Sequence, residues 1–104
     1  MKINVGVIFG GRSVENEISV ITAAQTMAAM NEDKYNIVPI YISKEGRWYT
    51  GDKLRSTDNY RDMKALLASV EEVYFRPAYG DNNLYKVRKP LFGSAVATTI
   101  DVIL

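Results

Sequence analysis

Two carboxylates, Glu15 and Glu17, follow closely on a glycine pair, Gly10-Gly11, with Arg12, Ser13 and Val14 between. An apolar run, Ile3 to Phe9, leads into the glycines, and a patterned segment, Ile18 to Met30, leads away from the acids. Strand, glycine turn and helix in that order open a Rossmann-like βαβ unit, whose ligands bind in the crevice beyond the carboxyl ends of the strands. A bare helix start at that point suits a phosphate or carboxylate, because its N–H groups are unpaired and carry partial positive charge. Here two acids occupy it, so the simplest chemical reading is a site for a ligand with an amine. The bland alternative is dipole compensation, worth ~0.3–1 kcal/mol per acid. Two residues apart on a helix, the acids point about 200° away from each other, so only one can enter a given crevice. The helical wheel sets Glu17 nearer the apolar face and Glu15 opposite it.

The glycine pair is as readily a plain tight turn as a ligand loop. It lacks the G-x-G-x-x-G dinucleotide fingerprint and the G-K-[ST] of a P-loop, which disfavours a nicotinamide or nucleoside-triphosphate site built by this loop alone. Arg12 reads as a solvated loop charge, Trp48 and the tyrosines as core or rim, and Asp101 as structural.

The elements that must position these residues follow from periodicity. Residues 3–9 read as a buried parallel strand. Gly10 and Gly11 allow positive φ, and Ser13 is the candidate N-cap. The helix is expected from about Val14 to about Met30, with both acids in its first turn, Asn31 as its C-cap, and Val20, Ile21, Ala24, Met27 and Ala28 on its inward face. Residues 35–42 form a second strand, placed at a sheet edge because Pro39 cannot donate to a ladder. A turn at 43–46, a short extended segment at 47–50 and a polar loop at 51–59 come next. Tyr60, Met63, Leu66, Leu67 and Val70 recur at helical spacing and predict a second, shorter helix. Strands at 72–78 and 84–87 are joined by a four-residue hairpin loop, 80–83. Residues 99–104 read as a last strand that stops inside its apolar run, so the expectation is the front part of a longer protein. The fold class is α/β: an open, mainly parallel, Rossmann-like sheet flanked by helices, with a small hairpin.

The balance of the chain narrows the function. Thirteen Lys and Arg against 12 Asp and Glu leave a net charge of +1 in 104 residues, which gives no reason to expect nucleic acid or an anionic membrane as partner. With no Cys and no His, the segment lacks thiolate chemistry, the commonest general base and the commonest metal ligand. A self-contained catalytic site is therefore not expected. No run approaches the roughly 20 apolar residues of a membrane helix and none resembles a signal peptide, so the expected compartment is the cytoplasm.

The stretch Val7 to Ser19 closely resembles the amino-terminal signature of the D-alanine–D-alanine ligase family: an apolar strand, Gly-Gly-x-Ser-x-Glu-x-Glu, an aliphatic residue, then Ser. Val38-Pro39-Ile40-Tyr41-Ile42, Gly46-Arg47-Trp48 and Asp101-Val102-Ile103-Leu104 agree with it in order. The resemblance covers only the first of the family's three domains, the pre-ATP-grasp domain. It implies an ATP-grasp enzyme that phosphorylates one D-alanine with ATP and Mg2+ and joins a second to it, for peptidoglycan. By the same resemblance, Glu15 receives the first D-alanine's ammonium group in a binding role, Ile18 lines that pocket, and Gly10, Gly11 and Ser13 belong to it. Glu17 is expected to accept hydrogen bonds from the turn. ATP and Mg2+ would bind after Leu104, and the full-length enzyme would be a homodimer. Where many members carry His, this chain has Asn16. The open alternatives are a D-alanine–D-lactate or D-alanine–D-serine ligase and a non-catalytic Rossmann-like binding module.

Overall fold

The computed structural model describes residues 2–12, 15–88 and 90–104. Its centre is the unit anticipated from the sequence. Strand β1 (Ile3–Gly10) leads through the glycine turn into helix α1 (Asn16–Ala29), which returns the chain to β2 (Tyr35–Ile42), parallel to β1 in register from Ile3↔Tyr35 to Gly10↔Ile42. β3 (Trp48–Thr50), two 3-10 turns (Asp52–Arg55 and Thr57–Arg61) and α2 (Met63–Ser69) follow, then β4 (Glu71–Phe75), β5 (Asn83–Lys86), β6 (Val96–Thr99) and β7 (Val102–Ile103). The seven strands among the described residues make one sheet in the order β6-β5-β4-β3-β2-β1-β7. Parallel pairing is confined to β2-β1-β7, and the run from β2 out to β6 is antiparallel. The parallel part of the α/β sheet is thus smaller than expected.

Three further expectations are corrected. β2 lies inside the sheet, not at its edge. The last β2–β3 pair is Ile40↔Thr50, and the Thr50 hydroxyl donates to the Pro39 carbonyl at 2.7 Å. Proline therefore falls just where the β3 ladder has ended, and its missing N–H leaves a side chain, not a strand, as neighbour. The expected last strand is two. Ile100, 3% exposed, turns down into the sheet's lower layer, and Asp101 fastens the break: its N–H donates to the Asn4 carbonyl and its carboxylate accepts the Asn4 N–H, both at 2.8 Å. Gly6 makes room, because a Cβ there would lie 3.1 Å from Ile40 and 3.2 Å from Ile100. The hairpin loop is also longer than four residues, since β4 ends at Phe75 and β5 starts at Asn83.

The inward face of α1 is Asn16, Val20, Ala23 and Met27, packed over Val5, Val7, Phe9, Ile37 and Tyr41. Ile21 and Ala28, expected inside, are exposed. The rotation is set by Asn16, which is drawn under the helix start by its own hydrogen bonds, so Ala23 takes the close approach to the sheet. The helix ends at Ala29, close to the expected position, with Met30 and not Asn31 as its C-cap, while Asn31 shapes the next turn through its side-chain oxygen, which accepts the Asp33 N–H at 2.9 Å. Leu54 and Leu66 extend this layer from the 3-10 turn and α2, whose N-cap Asp62 accepts the Ala65 N–H. The opposite face holds a second cluster, Val38, Ile40, Val73, Leu84 and Ile100.

Candidate functional site

The glycine turn closes over the carboxyl ends of β1 and β2. Gly10 has φ +93° and Gly11 φ +108°, both in the region that favours glycine. The two glycines differ in their surroundings. A Cβ on Gly10 would run into the Ile42 carbonyl oxygen and the Tyr41 ring, whereas one on Gly11 would meet nothing within 4 Å. The Gly11 N–H donates to the Ile42 carbonyl at 2.8 Å, and the Gly10 N–H donates to the Ser19 hydroxyl oxygen at 2.9 Å. The turn is therefore held by β2 on one side and by the first turn of α1 on the other.

Glu15 stands at the boundary position of α1, not within its first turn, and its side chain does not cap its own helix. Its carbonyl takes the first helical bond, from the Ser19 N–H at 2.9 Å. The residue borders a groove of about 530 Å³ that runs between α1, from Glu15 down to Thr26, and the second half of β1, from Val7 to Gly10, with Leu104 at its side. Of the sequence-derived candidates, Gly10, Glu15 and Ile18 meet in this groove. Ile18 is 64% exposed, so its apolar side chain is offered to whatever fills the space. Gly11 shapes the turn without lining the groove. Ser13, the expected N-cap and pocket residue, lies outside the described residues. Arg12 is exposed.

Glu17 behaves differently from its expected role. It is on the opposite flank of α1, where it forms an exposed ion pair with Lys44 at 3.7 Å. The glycine N–H groups it was expected to serve are taken by Ser19 and Ile42. Glu17 lines a separate groove of about 520 Å³ with Asn16, Tyr41, Lys44, Tyr60 and Arg61. The angular separation of the two acids on the helix thus puts them in different crevices, and the apolar-face argument in favour of Glu17 fails because the helix is rotated toward Asn16.

Sequence reasoning passed over three residues that hold the turn: Asn16, Ser19 and Tyr41. Asn16 is 3% exposed. Its amide nitrogen donates to the Gly11 carbonyl at 2.7 Å and the Ile42 carbonyl at 3.3 Å, and its amide oxygen accepts the Tyr41 hydroxyl at 2.9 Å. Burial pushes the Tyr41 hydroxyl above its ordinary range, with the Asn16 hydrogen bond acting in the other direction. Tyr60 packs edge-on to Tyr41, with ring centroids 5.4 Å apart, and burial raises its hydroxyl too. A polar residue at a helix start was visible in the sequence, but its inward direction depends on the turn and the β2 end beneath it.

Among the described residues, no group of three or more His, Cys, Asp or Glu could hold a metal ion, and no helix is long and apolar enough to cross a membrane. The family described as D-ala D-ala ligase N-terminus matches residues 4–104. The D-alanine–D-alanine ligase of Geobacillus thermodenitrificans is 44% identical over 106 residues, covering 99% of this chain and 27% of its own length. That of Bacillus pumilus is 48% identical over 85 residues, covering 82% of this chain and 23% of its own. The chain therefore spans about a quarter of these relatives. Among solved structures, the D-alanine–D-alanine ligase of Coxiella burnetii superposes with a TM-score of 0.74 at 26% identity, over 98% of this chain and 27% of the other. The VanG D-Ala:D-Ser ligase of Enterococcus faecalis gives 0.73 at 22% identity, over 99% and 28%, a likeness of fold.

Proposed function

The chain belongs to the D-alanine–D-alanine ligase family, and we propose that it is the lobe of such an enzyme that takes the ammonium group of the first D-alanine on Glu15. The observation that supports this reading is the groove between α1 and the second half of β1, which Glu15 and the exposed aliphatic Ile18 line together at its glycine-turn end. A carboxylate matches an ammonium, and Ile18 gives a small side chain an apolar wall. The work done is orientation. Holding the amino acid in a fixed pose supports transfer chemistry at its other end, where positioning supplies much of the rate.

ATP and Mg2+ supply the activation of the first amino acid's carboxylate when bound. By the family resemblance both are assigned to the part of the enzyme beyond this segment, and the full-length enzyme is read as a cytoplasmic homodimer that makes the dipeptide. The similar sequences are named D-alanine–D-alanine ligases, which favours D-alanine as second substrate over D-lactate or D-serine.

The test is Glu15→Gln in the full-length enzyme. Losing a charge-assisted hydrogen bond should raise KM for the first D-alanine by on the order of tenfold to a hundredfold, while KM for ATP stays within about twofold. Unchanged D-alanine kinetics would remove Glu15 from the site.

A further inference from the structure

Resting on the placement of an ammonium at Glu15, we propose that Asn16 is a positioning residue: its buried amide clamps the glycine turn to the end of β2 and thereby fixes where Glu15 stands. A primary amide on the inward face of a helix is costly unless its hydrogen bonds are made, and an aliphatic side chain would fill the same place without that cost. The bonds account for it. One amide reaches the carbonyl of the turn, the carbonyl that ends β2 and the hydroxyl of Tyr41. The Ile42 carbonyl is shared, since it also accepts the Gly11 N–H. Ser19, three residues further along α1, holds the Gly10 N–H. Both glycines are thus fastened from the first turn of the helix, and Glu15 is the residue that joins that turn to the loop. A leucine offers neither donor nor acceptor here, and an ionised aspartate turns the donor into an acceptor facing two carbonyls.

That reversal gives the test. In the full-length enzyme, Asn16→Asp should raise KM for D-alanine about tenfold at pH 8, with KM for ATP unchanged. Burial and the facing carbonyls hold the new carboxyl above the ordinary range. Glu17 on its own helix, Glu45 in the β2–β3 turn and Asp58 in the 3-10 turn act in the same direction, while Lys44 and Arg61 at the rim oppose them. Tyr41 and Tyr60 stay neutral throughout. As pH falls to about 6 the protonated carboxyl regains a donor for the Gly11 carbonyl, and the variant-to-wild-type ratio of KM for D-alanine should move back toward one. Asn16→Ala, with no proton to regain, should stay impaired at every pH.

A purely structural role would move stability without this split and this pH recovery. D-alanine and ATP constants rising together, or an unchanged D-alanine KM at pH 8, would overturn the proposal. Should Asn16→Asp fail to fold, Tyr41→Phe releases the amide oxygen while keeping the ring, and about a threefold rise in D-alanine KM is expected; no change overturns the proposal equally. Glu15→Gln run alongside separates the two readings. If it raises D-alanine KM and the Asn16 variants do not, only the positioning role falls. If it has no effect, both fall.

Discussion

At Gly10 and Gly11 the backbone demands are alike and the surroundings are not, which separates two costs that usually arrive together. Gly11→Ala should cost about 1–2 kcal/mol, the strain of a side chain at positive φ with open space around it. Gly10→Ala adds a collision with the Ile42 carbonyl and the Tyr41 ring, and should lose more than Gly11→Ala, on the order of 3 kcal/mol or beyond. Urea midpoints of the two variants check the order, and equal losses would mean that the turn shifts to absorb the Cβ. Burial also makes Tyr41 and Tyr60 reluctant to ionise. Their folded pKa values are raised above the ordinary 10.0, so the folded state keeps protons that the unfolded chain releases. Stability is fully present below pH 10 and falls as pH rises above it. Denaturant midpoints at pH 9 and pH 11 should show the drop, and Tyr60→Phe should flatten it, although it also loses the hydroxyl's 2.7 Å bond to the Leu54 carbonyl.

Elements were legible in the sequence where local pattern and tertiary role agree. β1 and β2 came from apolar runs, and the glycine turn and α1 from composition and spacing. The misses share a cause. The face of α1 depends on Asn16 finding acceptors on the glycine turn and on the end of β2, and periodicity counts an amide as outward. Pro39 reads as an edge signal only if the neighbouring ladder reaches it, and β3 stops one residue short. The break at Ile100 and Asp101 needs Gly6 and Asn4, remote in the chain. For the candidate site, Gly10, Glu15 and Ile18 rested on a family signature, whereas the hydrogen-bond clamp beneath them became visible only with the strands in place. Ile21 illustrates the element-scale lesson quantitatively. Being 52% exposed, its replacement by Ala should cost under about 1 kcal/mol, where Met27→Ala, at 1% exposure, should cost about 2–5 kcal/mol. Thermal melts of both variants test the observed helix face against the one periodicity suggested.

On the scale of the molecule, one layer of helices and 3-10 turns packs on β1, β2 and β3 across one face of the sheet. The segment has the grip on a substrate in this reading but not the nucleotide chemistry. Residues 1–104 expressed alone should show no ATP hydrolysis above buffer in a phosphate-release assay, while the full-length enzyme turns over; activity in the isolated segment would place the nucleotide site here.

β1 sits between β2, which follows it closely, and β7, whose pairing is Val5↔Val102 and Gly6↔Ile103 with Ile8 and Leu104 bonded at the end. During synthesis on the ribosome one side of the first strand can zip at once, while the other waits for nearly the last residues described here. Its outer backbone groups are a bare template in the interval, open to mispairing with another nascent chain. The same asymmetry should persist in the finished protein: the Ile8 amide, turned toward β7, ought to exchange with deuterium before those of Val7 and Phe9.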